Sequence, residues 1–301
     1  MNDPSAVKVA APAEDVVQAR SLSSDAWYDL RRRPIFWIAG TVVLLMTTIA
    51  AFPWLFSSVD ARTAACELSD SLRTPSAEHW FGFTKQGCDV YARVIYGTRA
   101  SIVVGIFSTL ISAATALIVG MLAGYFGGWV DAILSRIMDI VLGLPYLLGA
   151  IVVTRALASF DLGIWTVVFA LSAIGWMSAA RLIRASVIAA RHQDYVQAAR
   201  MLGAGDLRIM FRHILPNAVA PTIVVMMIAL GAFIAAEATL SFLGVGARNT
   251  ISWGADIAEA QIWFREATLP IVFPSLFLTV TVLAFIMLGD AVREALDPKL
   301  H

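Results

Sequence analysis

Charge is what this sequence has least of: of its 301 residues only 15% are Asp, Glu, Lys or Arg, where a soluble domain carries about 25%. Lysine is almost missing, with Lys8, Lys85 and Lys299 alone. None of the three completes a G-x-x-x-x-G-K-[ST] run, so no loop of that kind cradles a nucleotide phosphate. Histidine is confined to His79, His192, His213 and His301, which show neither an HExxH pair nor a Cys/His spacing suited to a metal. No Ser-His-Asp set and no paired carboxylates stand out, which leaves an enzyme reading without a catalytic centre. Formal net charge is zero, so no excess of one sign points to nucleic acid or an acidic partner. A cleavable leader is not expected either. The first apolar block, 35–56, lies deep in the chain and, at about 22 residues, exceeds the 7–15 of a signal core.

Apolar residues, by contrast, make up 59%. They gather in blocks near the roughly 20 residues a helix needs to cross the hydrocarbon core. Six blocks, at about 35–56, 100–124, 133–155, 164–184, 217–243 and 268–290, predict an all-α membrane protein with six transmembrane helices. Glycine and proline punctuate the gaps: Gly124, Gly127 and Gly128 follow the second block, Pro216 precedes the fifth, and Gly244 and Gly246 follow it. Residues 1–21 read as a disordered tail, 22–34 as an N-terminal interfacial helix, and 35–301 as the transmembrane domain. Ser24 can cap the interfacial helix, Trp27 and Leu30 can rest on the acyl boundary, and Arg31, Arg32 and Arg33 can face anionic lipid. An ordinary basic flank of the first span fits the same residues. Lys and Arg favour the cytoplasmic side, and the Arg31–Arg33 cluster, with Arg181, Arg184, Arg191, Arg200, Arg208 and Arg212, puts both termini there.

Within the second block, Ser108, Ser112, Ala116, Gly120 and Gly124 recur every four residues. That spacing lines small side chains along one face of a helix and lets a neighbouring backbone come close in lipid. The loop 185–216 is too polar to enter the membrane, yet it is patterned as two short helices. Tyr195, Ala198, Ala199 and Leu202 share one face of the first, and Gly203-Ala204-Gly205 breaks the run. Asp206 is placed to cap the second, on which Leu207, Met210, Phe211 and Ile214 repeat at three-to-four spacing. Such an amphipathic hairpin must bury its apolar face on its own bundle or on a separate protein.

Both cysteines, Cys66 and Cys88, fall in the outward loop between the first two spans. An oxidising compartment makes a bridge between them the working expectation, with two free thiols as the alternative. In 244–268, Trp253, Ile257, Ala260 and Phe264 recur at helical spacing, consistent with a short helix on the outer leaflet. Glu237 is the one carboxylate well inside a span. It faces either a pore or a partner that fixes helix packing.

Several ordered motifs carry a family resemblance. Gln197-Ala198-Ala199, Gly203 and Ile214-Leu215-Pro216 resemble the EAA loop of ABC importer permeases. Asp194 through Arg200, Arg212 through Asn217, His79 through Gly82, Gly124 through Asp131, Glu237 through Gly244, Ser252 through Gly254, and Leu288 through Asp290 with Ala295 through Pro298 resemble the dipeptide, oligopeptide and nickel branch, in its second, C-type subunit. The resemblance implies a type I importer permease in a prokaryotic cell membrane, half of a pore shared with a homologous second permease. It implies two ATPase subunits, or one fused ATPase, which bind the ATP and Mg, and an extracytoplasmic substrate-binding protein. This chain would hold no cofactor. Tyr195, Gln197, Ala198, Ala199, Arg200, Met201, Leu202, Gly203, Ala204, Gly205 and Asp206 become the ATPase-coupling residues. Trp253 and Phe264 become receptor-docking candidates, Glu237 a pore candidate, and Cys66–Cys88 a staple of the docking loop. Two departures stand out: Gln197 replaces the usual Glu, so an ion pair there is not available, and Cys88 stands where the family often has Arg. Peptides are the implied cargo, with nickel as the alternative in the family. A secondary transporter would instead need several intramembrane carboxylates or paired broken helices.

Overall fold

The computed structural model describes residues 27–28, 30–61 and 66–296; the tail 1–21 and the Ser24 cap lie outside the described residues. Trp27, Tyr28 and Leu30, all helical, precede α1 (Pro34–Ala51). An outer loop follows, then α2 (Val90–Phe126), of 37 residues. Next come α3 (Gly128–Leu142) and α4 (Tyr146–Leu157), then α5 (Ile164–Gly175) and α6 (Met177–Arg191). A hairpin begins with α7 (Asp194–Met201). α8 (Ala220–Phe242), the short α9 (Trp253–Ala260) and α10 (Leu269–Leu296) complete the chain. Among the described residues the only β pairing is an isolated bridge between Phe83 and Asp89. Four helices, α1, α2, α8 and α10, are each long and apolar enough to cross a membrane; each of the pairs α3–α4 and α5–α6 adds one span if counted together.

The expected third span is therefore not one straight helix. α3 and α4 meet at 94° across Gly143-Leu144-Pro145. Pro145 has no N–H to return to the preceding turn, and its ring pushes Leu144 away from the α conformation. The expected fourth span also differs. It bends by 42° at Trp176 and runs on to Arg191, so the first residues assigned to the loop 185–216 are a continuation of the helix.

α2 is the central post. Ser108, Ser112, Ala116, Gly120 and Gly124 are all buried, against α5 and α6. A Cβ on Gly120 would stand 2.6 Å from the Ala180 carbonyl oxygen, and one on Gly124 would stand 2.8 Å from that of Arg184. The small-residue stripe thus lets α6 lie on α2 closer than any side chain would permit. Asp89 caps the start of α2 by accepting a hydrogen bond from the Ala92 N–H at 2.8 Å. At the opposite end Arg33 pairs with Glu294, which sets the start of α1 beside the end of α10.

Candidate functional site

The hairpin is built on a glycine. Gly203 has φ +81°, its N–H donates to the Arg200 carbonyl at 3.0 Å, and the Ala204 N–H donates to that of Ala199 at 3.1 Å. These two bonds are the Schellman closure of α7, which a left-handed residue completes. Nothing else lies within 4 Å of the position a Gly203 Cβ would take. The turn therefore projects Met201 and Leu202, 90% and 88% exposed, with no neighbour to cover them. Exposure this complete is unusual for two adjacent large apolar side chains.

The apolar face differs from the one the spacing predicts. Val196, Ala199, Ile209, Met210 and Ile214 are buried, whereas Tyr195, Leu207 and Phe211 are exposed. The second arm is the cause: Asp206–Arg208 opens into a π-helical turn, Ile209–Ile214. With i→i+5 bonding, residues five apart come onto one side, so Ile209 and Ile214 pack inward together. Phe211, on the predicted stripe, is left outside with Leu207, Leu202 and Met201.

Asp206 does not cap this arm. Gly205 is the cap residue, and Asp206 Oδ1 instead accepts the Tyr125 hydroxyl at 2.6 Å. Tyr125 is the penultimate residue of α2. The same helix end is held a second time, since Arg191 Nη1 donates to the Gly124 carbonyl at 3.0 Å and to that of Tyr125 at 3.2 Å. Those carbonyls have no partner within the helix. Arg184 forks onto Asp131 of α3, at 2.6 Å from Nη2 to Oδ2, and Ser135 donates to the same carboxylate at 3.0 Å. Arg181 pairs with Asp139. The Gln197 amide donates to the Arg191 carbonyl at 3.4 Å. The Tyr195 hydroxyl accepts from Asn217 at 3.2 Å. Sequence reasoning on the hairpin did not single out Tyr125, Asp131, Arg184 or Arg191; Tyr125 and Asp131 fell in the Gly124–Asp131 motif, quoted without a role, and Arg184 and Arg191 served only in the orientation argument.

At the far end of α2, Cys66 and Cys88 are joined by a disulfide, with Cα atoms 4.3 Å apart. His79 Nδ1 meets Asp89 Oδ2 at 2.5 Å, tying the bridged loop to the helix cap. The Arg93 guanidinium pairs with Asp256 of α9, both largely buried. Burial pushes the Asp256 carboxyl up, and the Arg93 charge pulls it partly back. Neighbouring Glu259 is likewise raised by burial and by the Asp256 charge, against the pull of Arg93. Trp253 is a correction to the docking expectation. It has no exposed surface, and its indole N–H donates to the Val94 carbonyl at 2.9 Å. An interfacial tryptophan and a helix-packing one look alike in sequence. Phe264 remains 51% exposed.

Glu237, only 3% exposed, is not on an open face. Ser101 of α2 donates to its Oε2 at 2.9 Å and Ser241 to its Oε1 at 2.7 Å. The carboxyl group clamps α8 to α2 within this chain.

Residues 116–301 match the family described as "Binding-protein-dependent transport system inner membrane component". Residues 21–65 match "N-terminal TM domain of oligopeptide transport permease C". A glutathione transport system permease protein, GsiD, of Pectobacterium atrosepticum is 38% identical over 275 residues, 91% of this chain and 90% of the relative. A dipeptide transport system permease protein, DppC, of Alkalihalophilus pseudofirmus is 35% identical over 291 residues, 96% of this chain and 94% of the relative. Among solved structures, a chain of the inward-facing MetNI methionine ABC transporter superposes with a TM-score of 0.54 at 19% identity, over 67% of this chain and 96% of that one. At that identity the likeness speaks for the fold alone.

Proposed function

The chain belongs to the binding-protein-dependent transport system inner membrane components, and we propose that it is the C-type permease subunit of an ATP-driven importer of short peptides. The observation that carries the reading is the exposed Met201–Leu202 pair on a turn fixed by Gly203. Such a knob on a polar hairpin fits a groove on an ATPase subunit, and the Asp206–Tyr125 bond supplies a route from that contact into α2. ATP-driven closure of two ATPase subunits would then swing the hairpin and, with it, the bundle. A homologous permease supplies the other half of the pore. An extracytoplasmic binding protein delivers cargo to the face bearing the disulfide loop and Phe264, where Cys66–Cys88 acts as the staple. The hairpin and both termini face the cytoplasm. Glutathione and dipeptides, named for two relatives, share a peptide backbone with charged ends, which favours peptides as cargo here.

The test is purification of the tagged chain from native membranes in mild detergent, with partners identified by mass spectrometry. A second permease, ATPase subunits and a binding protein carrying peptides are expected. A lone chain or a homo-oligomer under several gentle conditions would overturn the reading and favour an ion-coupled transporter.

A further inference from the structure

The two helix breaks open on one cavity. Leu144 and Tyr146 reach it from the α3–α4 break, Ile174 and Ser178 from the α5–α6 bend, and Met226 and Phe233 from α8. Val225 through Phe233 occupy the middle of α8, so the cavity lies halfway along a span. At such depth, irregular backbone is tolerated only where it is buried in protein or lines a water-filled space. Two independent breaks converging there argue that the space has a use.

Its volume is about 380 Å³, inside the range of roughly 300–1,000 Å³ typical of small-molecule sites. Among the described residues no charged side chain lines it. Apart from Ser178 the wall is aliphatic and aromatic, with Tyr146 and Phe233 rings 6.4 Å apart. The Tyr146 hydroxyl is buried and has no hydrogen-bond partner among the described residues. An orphaned buried hydroxyl is costly, and the cost is removed when a ligand supplies the partner. Gly175 keeps the wall thin, since a Cβ there would stand 2.5 Å from the Phe233 ring. This chemistry suits an apolar side chain with a neutral peptide group beside it, and rejects a hydrated cation or a charged terminus.

We propose that this cavity is a station on the cargo route, which holds an apolar side chain of a passing peptide while the Tyr146 hydroxyl hydrogen-bonds its backbone. The proposal rests on the peptide-importer reading and adds where, and by what, the peptide is held. Side-chain preference would then be set partly in this subunit, in addition to any choice made by the binding protein.

The experiment uses the whole transporter in proteoliposomes and two probes, Ala-Ala and Leu-Leu, with uptake and ATPase rates measured together. Ala232 faces the cavity, and Ala232→Phe fills it. Expected is a loss of Leu-Leu uptake of about tenfold or more, with Ala-Ala uptake within about twofold of wild type, as a steric pocket dictates. Tyr146→Phe should lower uptake of both by about threefold to tenfold, the worth of one hydrogen bond, with ATPase stimulation intact. Should Ala232→Phe fail to assemble, Ser178→Leu intrudes on the same space from the other wall and carries the same expectation. Wild-type rates for both peptides in the variants would overturn the station and leave the importer reading standing. A wild-type complex that couples ATP hydrolysis but imports neither peptide would overturn the peptide reading, and the station with it.

Discussion

The Tyr125 hydroxyl and the Asp206 carboxylate, 81 positions apart, meet at 2.6 Å and join the end of α2 to the tip of the hairpin. Tyr125→Phe removes this bond while keeping the packed ring. Because Asp206 is exposed, water takes over its carboxylate and the stability cost stays near 1 kcal/mol or less. The effect falls on coupling: binding-protein-stimulated ATPase should persist while peptide uptake per ATP drops about threefold to tenfold. Unchanged stoichiometry would mean the bond transmits nothing.

Met201 and Leu202 test the docking contact. At their exposure, substitution costs the chain little, since surface changes stay within about 0.5 kcal/mol. Met201→Glu with Leu202→Glu should leave the purified permease as heat-stable as wild type, yet strip the ATPase subunits from it during affinity purification. Retention of the ATPase at wild-type stoichiometry would count against this turn as the contact.

Glu237 separates packing from pore lining. Glu237→Gln keeps hydrogen-bonding capacity for Ser101 and Ser241 and should transport near the wild-type rate. Glu237→Ala orphans both hydroxyls and should lower stability by about 1–3 kcal/mol, read as a fall in melting temperature. A Gln variant that is stable but transports nothing would return this carboxyl to the pore.

Reduction of the Cys66–Cys88 bridge offers a fourth handle. With a sequence separation of 22, loop-closure entropy puts its contribution at roughly 3 kcal/mol. Reductant should lower the melting temperature and weaken binding-protein docking. Non-reducing peptide maps should contain the linked pair, and two alkylatable thiols in native membranes would end the idea.

Arg93→Met leaves the Asp256 carboxyl buried without its cation, a loss of about 3–5 kcal/mol. It also carries a pH signature. Burial already raises this carboxyl, and losing Arg93 raises it further. A group protonated in the fold but ionised in the unfolded chain costs stability once pH exceeds its ordinary value of about 3.8. The variant's melting temperature, taken relative to wild type, should fall once pH passes the wild-type Asp256 value, itself above 3.8, and level off above the variant's still higher folded value. Glu259 loses the pull of Arg93 as well, so its carboxyl moves in the same direction and adds to the difference. A difference flat with pH would place the burden of the mutation on packing alone.

What the sequence made legible was periodic. Blocks of apolar residues located α1, α2, α8 and α10, and four-residue spacing in Ser108 through Gly124 announced the close face of α2. Gly203 was readable because few residues other than glycine close a helix this way. Pro145 was readable too, and its physical effect on the third span went undrawn. Other features carry no local signature. The π turn at Ile209–Ile214 changes which residues share a face without changing the residues. Tyr125–Asp206, Ser101–Glu237 and Arg93–Asp256 are contacts between distant segments, and no spacing rule links them. The burial of Trp253 depends on α2 lying against α9, a tertiary fact.

With 37 residues in one unbroken helix, α2 is about 55 Å long, nearly twice the roughly 30 Å of the hydrocarbon core. A stiff rod of that length behaves as a lever whose two ends cannot be set separately. A tilt of about 10° about its middle carries each end roughly 5 Å in opposite directions. The cap at Asp89, beside the disulfide loop, and the Tyr125 hydroxyl, beside the hairpin, are the two ends of that lever. A displacement of either end is thereby carried mechanically to the other, without any signal having to pass through the space between.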